Sequence, residues 1–271
     1  MATIAFVHAH PDDEAIFTGG TMLRLAQLGH RVVLVLATGG ELGLTDTGTP
    51  VSHAATATGT STTTTPVTDE LAARRRTEAE SAAALLQVDS VRFLGFRDSG
   101  MEGDPANDAE GSFWSAPLSD AAHVLAHVLR DEAVDCAVVY DPHGIYGHPA
   151  HVQAHRVGIA AADLAGVESV YEMTVDREYL HFVETHLVEE AALAGDLGLA
   201  RSHIGYSSVE IDLTVDVRSN IQDKRAAMAA HASQLPEEAP VFLLDQKRFA
   251  EVYGWEWYVR RGTPGVLDEL S

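Results

Sequence analysis

"TIAFVHAHPDDEAIFTGG", residues 3–20, decides how the chain is to be read. Residues 3–9 are apolar and β-favouring, and "EAIFTGGTMLRLAQLG" (14–29) has apolar residues at helical spacing and a glycine stop. A strand therefore runs into a helix through His10, Pro11, Asp12, Asp13 and Glu14. Pro11 has no N–H to give a ladder and bends the chain out of the strand. Asp12 or Asp13 can cap the helix, where acids are favoured in the first turn. Capping leaves His8 and His10 unexplained. They lie two apart on a strand and share a face. A metal site explains them, and from this stretch alone both readings stand.

The same alternation continues outward. "RVVLVLAT" (31–38), "SVRFLGF" (90–96) and "CAVVYD" (136–141) read as strands, and 69–87, 119–133 and 148–166 as helices. Short apolar strands alternating with helices predict an α/β fold, a Rossmann-like, mostly parallel sheet with helices on both faces. Such sheets bind ligands beyond the carboxyl ends of their strands, where residues 8–14 and 141–151 both fall. No G-x-G-x-x-G follows the first strand, and Gly19-Gly20 is placed inside the helix, which argues against a dinucleotide site. Beyond residue 175 the pattern weakens to a strand at 207–216, a helix at 217–235 and a late strand at 255–262. The chain is read as one domain, residues 1–271, with a core at 1–175 and a C-terminal part at 176–271 that walls the pocket. The threonine-rich stretch 43–68 reads as either a disordered loop or a lid. A second long loop, 97–117, also leaves the carboxyl end of a strand.

Composition narrows the partners. The net charge is −22, from 40 acidic and 18 basic residues, and the lysines are Lys224 and Lys247. That field disfavours nucleic acid and anionic membranes. No run of about 20 apolar residues suggests a span. The N-terminus lacks a basic n-region, so no signal peptide is expected. The single cysteine, Cys136, sits in a strand pattern and reads as core. Together these predict a cytoplasmic protein with a small-molecule substrate, and a homo-oligomer is compatible with them.

A second cluster tips the balance toward a metal. "YDPHGIYGHPAHVQAH" (140–155) also follows an apolar strand and opens a helix, with His148 and His151 about one turn apart on one face. A catalytic zinc commonly takes three protein ligands from His and Asp/Glu and leaves one position open. His10, Asp13 and His151 would supply that set and leave Asp12 as a free carboxylate to take a proton from water. His148, if protonated, and Tyr146 are candidates to stabilise the oxyanion. His8 and Asp141 are candidates to orient the ligand histidines. This parts list fits hydrolysis of an amide or ester without a covalent enzyme intermediate.

"AHPDDE" (9–14) together with "GHPAH" (147–151) resembles the PIG-L/LmbE family of zinc-dependent N-deacetylases. The likeness extends through "RRRTEAESAAALLQV" (74–88) and "GFRDSGM" (95–101), and "YDPHGIYGHPAHVQAH" (140–155) and "KRAAMAAHASQ" (224–234) look most like the branch acting in mycothiol metabolism. The resemblance implies a zinc-dependent hydrolase that removes an N-acetyl group from an N-acetylglucosamine-containing molecule. It implies His10, Asp13 and His151 as zinc ligands, Asp12 as general base, His148 as oxyanion stabiliser or acid, and Tyr146 as a mobile tyrosine over the metal. Arg75, chosen among three adjacent arginines, and Asp98 match residues that contact the sugar. Imidazole and carboxylate ligands also suit Fe(II). An amidase for larger acyl groups or thiol conjugates is the alternative within hydrolases. A metal-bearing sugar-binding module without turnover is the alternative outside them, and the presence of Asp12 argues against it.

Overall fold

The structure is a computed structural model that describes residues 1–44, 66–186 and 204–270. Its elements run β1 (Thr3–His8), α1 (Asp13–Phe17), α2 (Gly19–Gln27), β2 (Arg31–Thr38), α3 (Pro66–Leu85), β3 (Ser90–Phe96), α4 (Leu118–Asp131), β4 (Cys136–Tyr140), α5 (Gly144–Gly147) and α6 (Pro149–Ala165). They continue with β5 (Ser169–Thr174), α7 (Arg177–His186), β6 (Leu213–Asp216), α8 (Ile221–Ala230), α9 (Pro240–Leu243), α10 (Gln246–Tyr253) and β7 (Trp255–Gly262). Among the described residues, seven strands form one sheet in the order β3-β2-β1-β4-β5-β7-β6. The first five are mutually parallel, and β7 runs antiparallel to both β5 and β6. Residues Ile4–His8 of β1 and all of β4 and β5 are buried, as strands covered on both faces require.

The strand order creates the site. From β1 the chain moves outward to β2 and β3, then returns to place β4 on the other flank of β1. The connections leaving β1 and β4 diverge, and a crevice opens between their carboxyl ends. Both histidine-rich turns lie at that switch point.

Several elements differ from the sequence expectation. The helix expected over 14–29 breaks at Thr18 (φ −137°, ψ 3°), whose Oγ1 donates to Glu14 O and lies 2.8 Å from His8 Nε2. Gly19-Gly20 therefore opens a second helix rather than lying within one. A side chain at Gly20 would place its Cβ 2.3 Å from Val217 Cβ, so glycine lets α2 approach the chain just before α8. The strand β5, "SVYEMT", escaped detection because Glu172 interrupts its apolar run. That buried carboxylate is met by Arg261 Nε of β7 at 2.9 Å. The helices α7 and α10 were also unread. The strand expected at 207–216 shrinks to β6, because Ser208–Glu210 forms a 3-10 turn closed by a Ser207/Glu210 capping box. The helix expected over 217–235 begins as a 3-10 turn at Arg218–Asn220 and ends at Ala230. The helix α3 starts at Pro66 rather than 69, and residues 45–65 of the threonine-rich stretch lie outside the described residues.

The C-terminal elements tie back to the start of α2. Glu256 of β7 accepts N–H bonds from Gly20 (2.9 Å) and Thr21 (2.8 Å), the otherwise unpaired donors opening α2. Its Oε1 also takes Lys224 Nζ of α8 at 2.6 Å, with both side chains 1% exposed. Glu256→Ala strands a buried ammonium and two N–H groups. It is expected to lower unfolding free energy by about 3–5 kcal/mol, read by denaturant titration. An unchanged midpoint would contradict this role.

Candidate active site

The turn after β1 carries one half of the site. Its backbone is unusual at Asp12, with φ 115° and ψ −35°, a left-handed region that side-chain-bearing residues seldom enter. Asp12 stands at the cap position of α1, yet its side chain makes no capping hydrogen bond, and it is Glu14 Oε2 that accepts the N–H of this cap residue at 3.0 Å. Three consecutive carboxylates instead take three directions. Asp13 Oδ2 accepts the His10 N–H at 3.0 Å and turns into the crevice. Glu14 points away into the packing beneath α8, with its side chain 0% exposed. Asp12 keeps a 19% exposed side chain against 7% for Asp13, and is the acid a substrate could reach.

The turn after β4 supplies the other half. Asp141 Oδ1 accepts the N–H groups of His143 and Ile145, each at 2.9 Å, and its Oδ2 accepts Thr174 Oγ1 at 2.6 Å. This forces Ile145 to φ 64°, ψ −56°, close to a γ-turn that β-branched residues rarely adopt. His148 then caps α6, its Nδ1 accepting the Ala150 N–H at 3.2 Å. His151, in the first turn of α6, is fully buried and stacks on Tyr140 with centroids 4.3 Å apart.

The two halves meet at Asp13. Its Oδ2 lies 3.3 Å from His10 Nδ1 and 3.3 Å from His151 Nε2. Nitrogens of His10, His148 and His151 lie within 4.8 Å of one another. The outer ring atoms fix the tautomers. His10 Nε2 faces Asp98 Oδ1 at 3.1 Å, and His151 Nδ1 faces Gly144 O at 3.3 Å. Both contacts call for a proton on the outer nitrogen. The inner nitrogens of His10 and His151 then turn lone pairs toward one carboxylate oxygen. Among the described residues, buried His151 Nε2 has no well-formed hydrogen bond, only this 3.3 Å approach of Asp13 Oδ2. Such a trio is repulsive unless a positive charge sits among its members. Ligand atoms on a zinc tetrahedron lie roughly 3.3–3.5 Å apart, for bonds of about 2.0–2.1 Å. The residues present fit a divalent metal held by His10, Asp13 and His151, with His148 beside them.

Electrostatics set the adjacent acids apart. Burial pushes Asp12 up to about 6, against the pull of Arg75. Burial works on Asp13 in the same sense, yet His151 and His10 hold it well below the usual carboxylate range. Burial opposes charge on His10, but Asp98 and Asp13 raise it to about 10, another expression of the demand for positive charge here. Burial, reinforced by His10 and His151, lowers His148 well below its usual value. Its Nδ1 is an acceptor, so neutral His148 carries its proton on Nε2. A donor is therefore present without the protonated ring expected from sequence. Burial likewise keeps Tyr146 a phenol, its ring 5.0 Å from that of His151 and 6.1 Å from that of His148.

Other expected residues sit differently. Arg75 and Asp98, matched to sugar contacts, are committed to protein atoms in this arrangement. Arg75 donates to Gly40 O and Pro11 O and meets Asp12 Oδ2 at 3.1 Å, while its neighbours Arg74 and Arg76 turn to Glu78 and the Phe93 ring. Asp98 supports His10 from behind and also accepts the Gly100 N–H at 3.2 Å. His8 touches neither ligand histidine. It bonds Thr18 and lies 3.4 Å from Tyr140 Oη, whose ring stacks on His151. Asp141 likewise reaches His151 only through the Gly144 turn. Sequence reasoning passed over Tyr140, whose apolar strand gave no hint of a site. It also missed the pairing of Glu14 with His231, since 217 residues separate them.

The family model described as GlcNAc-PI de-N-acetylase (PIG-L) matches residues 5–162. A protein of Acidothermus cellulolyticus named 1D-myo-inositol 2-acetamido-2-deoxy-alpha-D-glucopyranoside deacetylase is 36% identical over 283 residues, covering 97% of this chain and 90% of the relative. Among solved structures, N,N'-diacetylchitobiose deacetylase from Pyrococcus horikoshii superposes with a TM-score of 0.58 at 24% identity, over 96% of this chain and 84% of that one. The 4-carboxy-2-hydroxymuconate hydratase GalB from Pseudomonas putida gives a TM-score of 0.58 at 18% identity, over 98% and 100% of the two chains. A hydratase thus shares the fold, and these structural likenesses speak to fold alone. The sequence matches go further: this chain belongs to the GlcNAc-PI de-N-acetylase family.

Proposed function

We propose that this chain is a zinc-dependent N-deacetylase that hydrolyses the acetamide of an N-acetylglucosaminyl small molecule to acetate and a free amine. The observation that carries the reading is the division of labour between adjacent acids. Asp13 is consumed by the two histidines, while Asp12 stays accessible beside them and bound only by Arg75. A non-catalytic sugar-binding module has no use for that second carboxylate.

His10, Asp13 and His151 would hold a zinc ion, which would supply Lewis acidity to the amide carbonyl and acidify the attacking water; Fe(II) suits the same donors. Asp12 accepts the proton of the attacking water, and Arg75 steers its carboxylate. The Nε2–H of His148 donates to the oxygen that gains charge, and the Tyr146 hydroxyl is a second donor on the same side. Asp12 then returns its proton to the departing amine nitrogen, so one water hydrogen ends on the amine, while the water oxygen and the other hydrogen leave as the carboxyl group of acetic acid, which ionises to acetate. Asp98 and Gly144 keep the ligand rings in the required tautomer. The inositol glycoside acted on by the Acidothermus relative supports an aminosugar–polyol substrate for this chain.

Amine release from 1D-myo-inositol 2-acetamido-2-deoxy-α-D-glucopyranoside is expected to stop on chelation and return with added zinc. Faster release from longer acyl chains than from acetyl would favour the larger-acyl amidase. His10→Ala and His151→Ala are expected to lose zinc, measured by metal analysis of the purified proteins. Asp12→Ala is expected to keep zinc while kcat falls by roughly 10²–10⁴. Wild-type kcat in Asp12→Ala would refute the mechanism. Removing the His148 donor in His148→Phe is expected to lower kcat by about 10²–10³ with zinc retained.

A further inference from the structure

The strained backbone of Asp12 needs something to hold it. A side-chain-bearing residue at φ 115° is strained and persists only where its surroundings over-determine it. One restraint comes from Arg75, which grips Pro11 O and the Asp12 carboxylate. The other comes from beneath. The left-handed turn sends the Asp12 N–H back to Glu14 Oε2, at 3.0 Å. Glu14 Oε1 in turn meets His231 Nε2, at 2.5 Å, with both side chains 0% exposed. His231 is the first residue past α8, and among the described residues its buried Nδ1 has no hydrogen-bond partner. The ring's hydrogen bonding is thus directed entirely at Glu14.

We propose that Glu14 and His231 form a positioning pair for Asp12: His231 fixes the Glu14 carboxylate, and Glu14 anchors the Asp12 amide in the left-handed turn that presents its carboxylate beside the His10–Asp13–His151 cluster. Neither residue touches substrate. Both act through the backbone of Asp12, which the proposed function makes the proton acceptor, and the pair rests on that reading. Through it the C-terminal part of the chain takes part in aligning a residue near the N-terminus.

The test compares Glu14→Ala, Glu14→Gln and the apolar double variant Glu14→Leu/His231→Phe, each zinc-loaded, using the inositol glycoside as substrate. Glu14→Ala and the double variant are expected to lose roughly 100-fold in kcat, the size of effect that a misplacement of about 1 Å produces. KM and zinc content stay at wild-type values. The double variant replaces both buried partners with apolar groups, so a folded, zinc-replete protein with low kcat separates alignment from folding. Glu14→Gln keeps an oxygen for the Asp12 N–H and is expected to restore most of kcat. In an Asp12→Ala background, Glu14→Ala is expected to cost nothing further, as a residue acting only through Asp12 must. Wild-type kcat in Glu14→Ala, an equal loss in Glu14→Gln, or an additional loss on top of Asp12→Ala would each overturn the pair. A crystal structure of zinc-loaded Glu14→Ala reads the same question without turnover. Asp12 leaving positive φ supports the pair, and Asp12 held near 115° overturns it. That readout stands even if Asp12→Ala proves fully active, which would fault the general-base reading instead.

Discussion

One carboxylate oxygen, Oδ2 of Asp13, joins the turn after β1 to the first turn of α6. It faces a nitrogen of His10 on one side and of His151 on the other, each at 3.3 Å, where two lone pairs and a negative oxygen repel one another unless a cation lies among them. Much of the surrounding structure serves to hold that arrangement. Asp98 and Gly144 dictate which ring nitrogens turn inward, Tyr140 stacks under His151, and Asp141 tightens the loop that delivers α6. The sheet places these parts together because the strand order reverses direction between β1 and β4.

The site departs from local backbone preference at two places, Asp12 and Ile145, one in each half. Among the described residues, the other side-chain-bearing residues at positive φ, Gln87 and Ala133, lie just past the ends of α3 and α4. Strain concentrated where reacting groups must be aimed is the expected cost of pre-organisation. Side chains cross-brace both positions: Arg75 and Glu14 around Asp12, Asp141 before Ile145. The sequence matches place this arrangement in a family of de-N-acetylases, while the shared fold of a hydratase shows that the scaffold alone does not choose the reaction.

Much of this was legible in the sequence. The parallel core followed from apolar runs at 3–9, 31–38 and 136–141, because strands buried on both faces need no polar alternation. The meeting of His10, Asp13, His148 and His151 followed from two histidine-bearing turns at corresponding ends of β1 and β4. Local pattern could not reveal β5, since the charge of Glu172 is neutralised by Arg261 from a strand 89 positions later. It also could not show that Arg75 turns inward while Arg74 and Arg76 do not. That choice depends on the approach of the Gly40 and Pro11 carbonyls, set by tertiary packing. His8 and Asp141 were flagged as partners of the ligand rings, but the structure gives each an indirect route, through Tyr140 and through the Gly144 turn. Glu14 stood in plain view within the motif, yet its partner His231 is brought to it only by the packing of α8 on α1.

The most direct test of this account is anomalous diffraction at the zinc edge from crystals of the full chain grown with zinc. The account predicts one strong peak bounded by His10, Asp13 and His151, with the Asp12 carboxylate outside the coordination shell. A peak coordinated by Asp12 in place of Asp13, or no peak in that crevice, would contradict it.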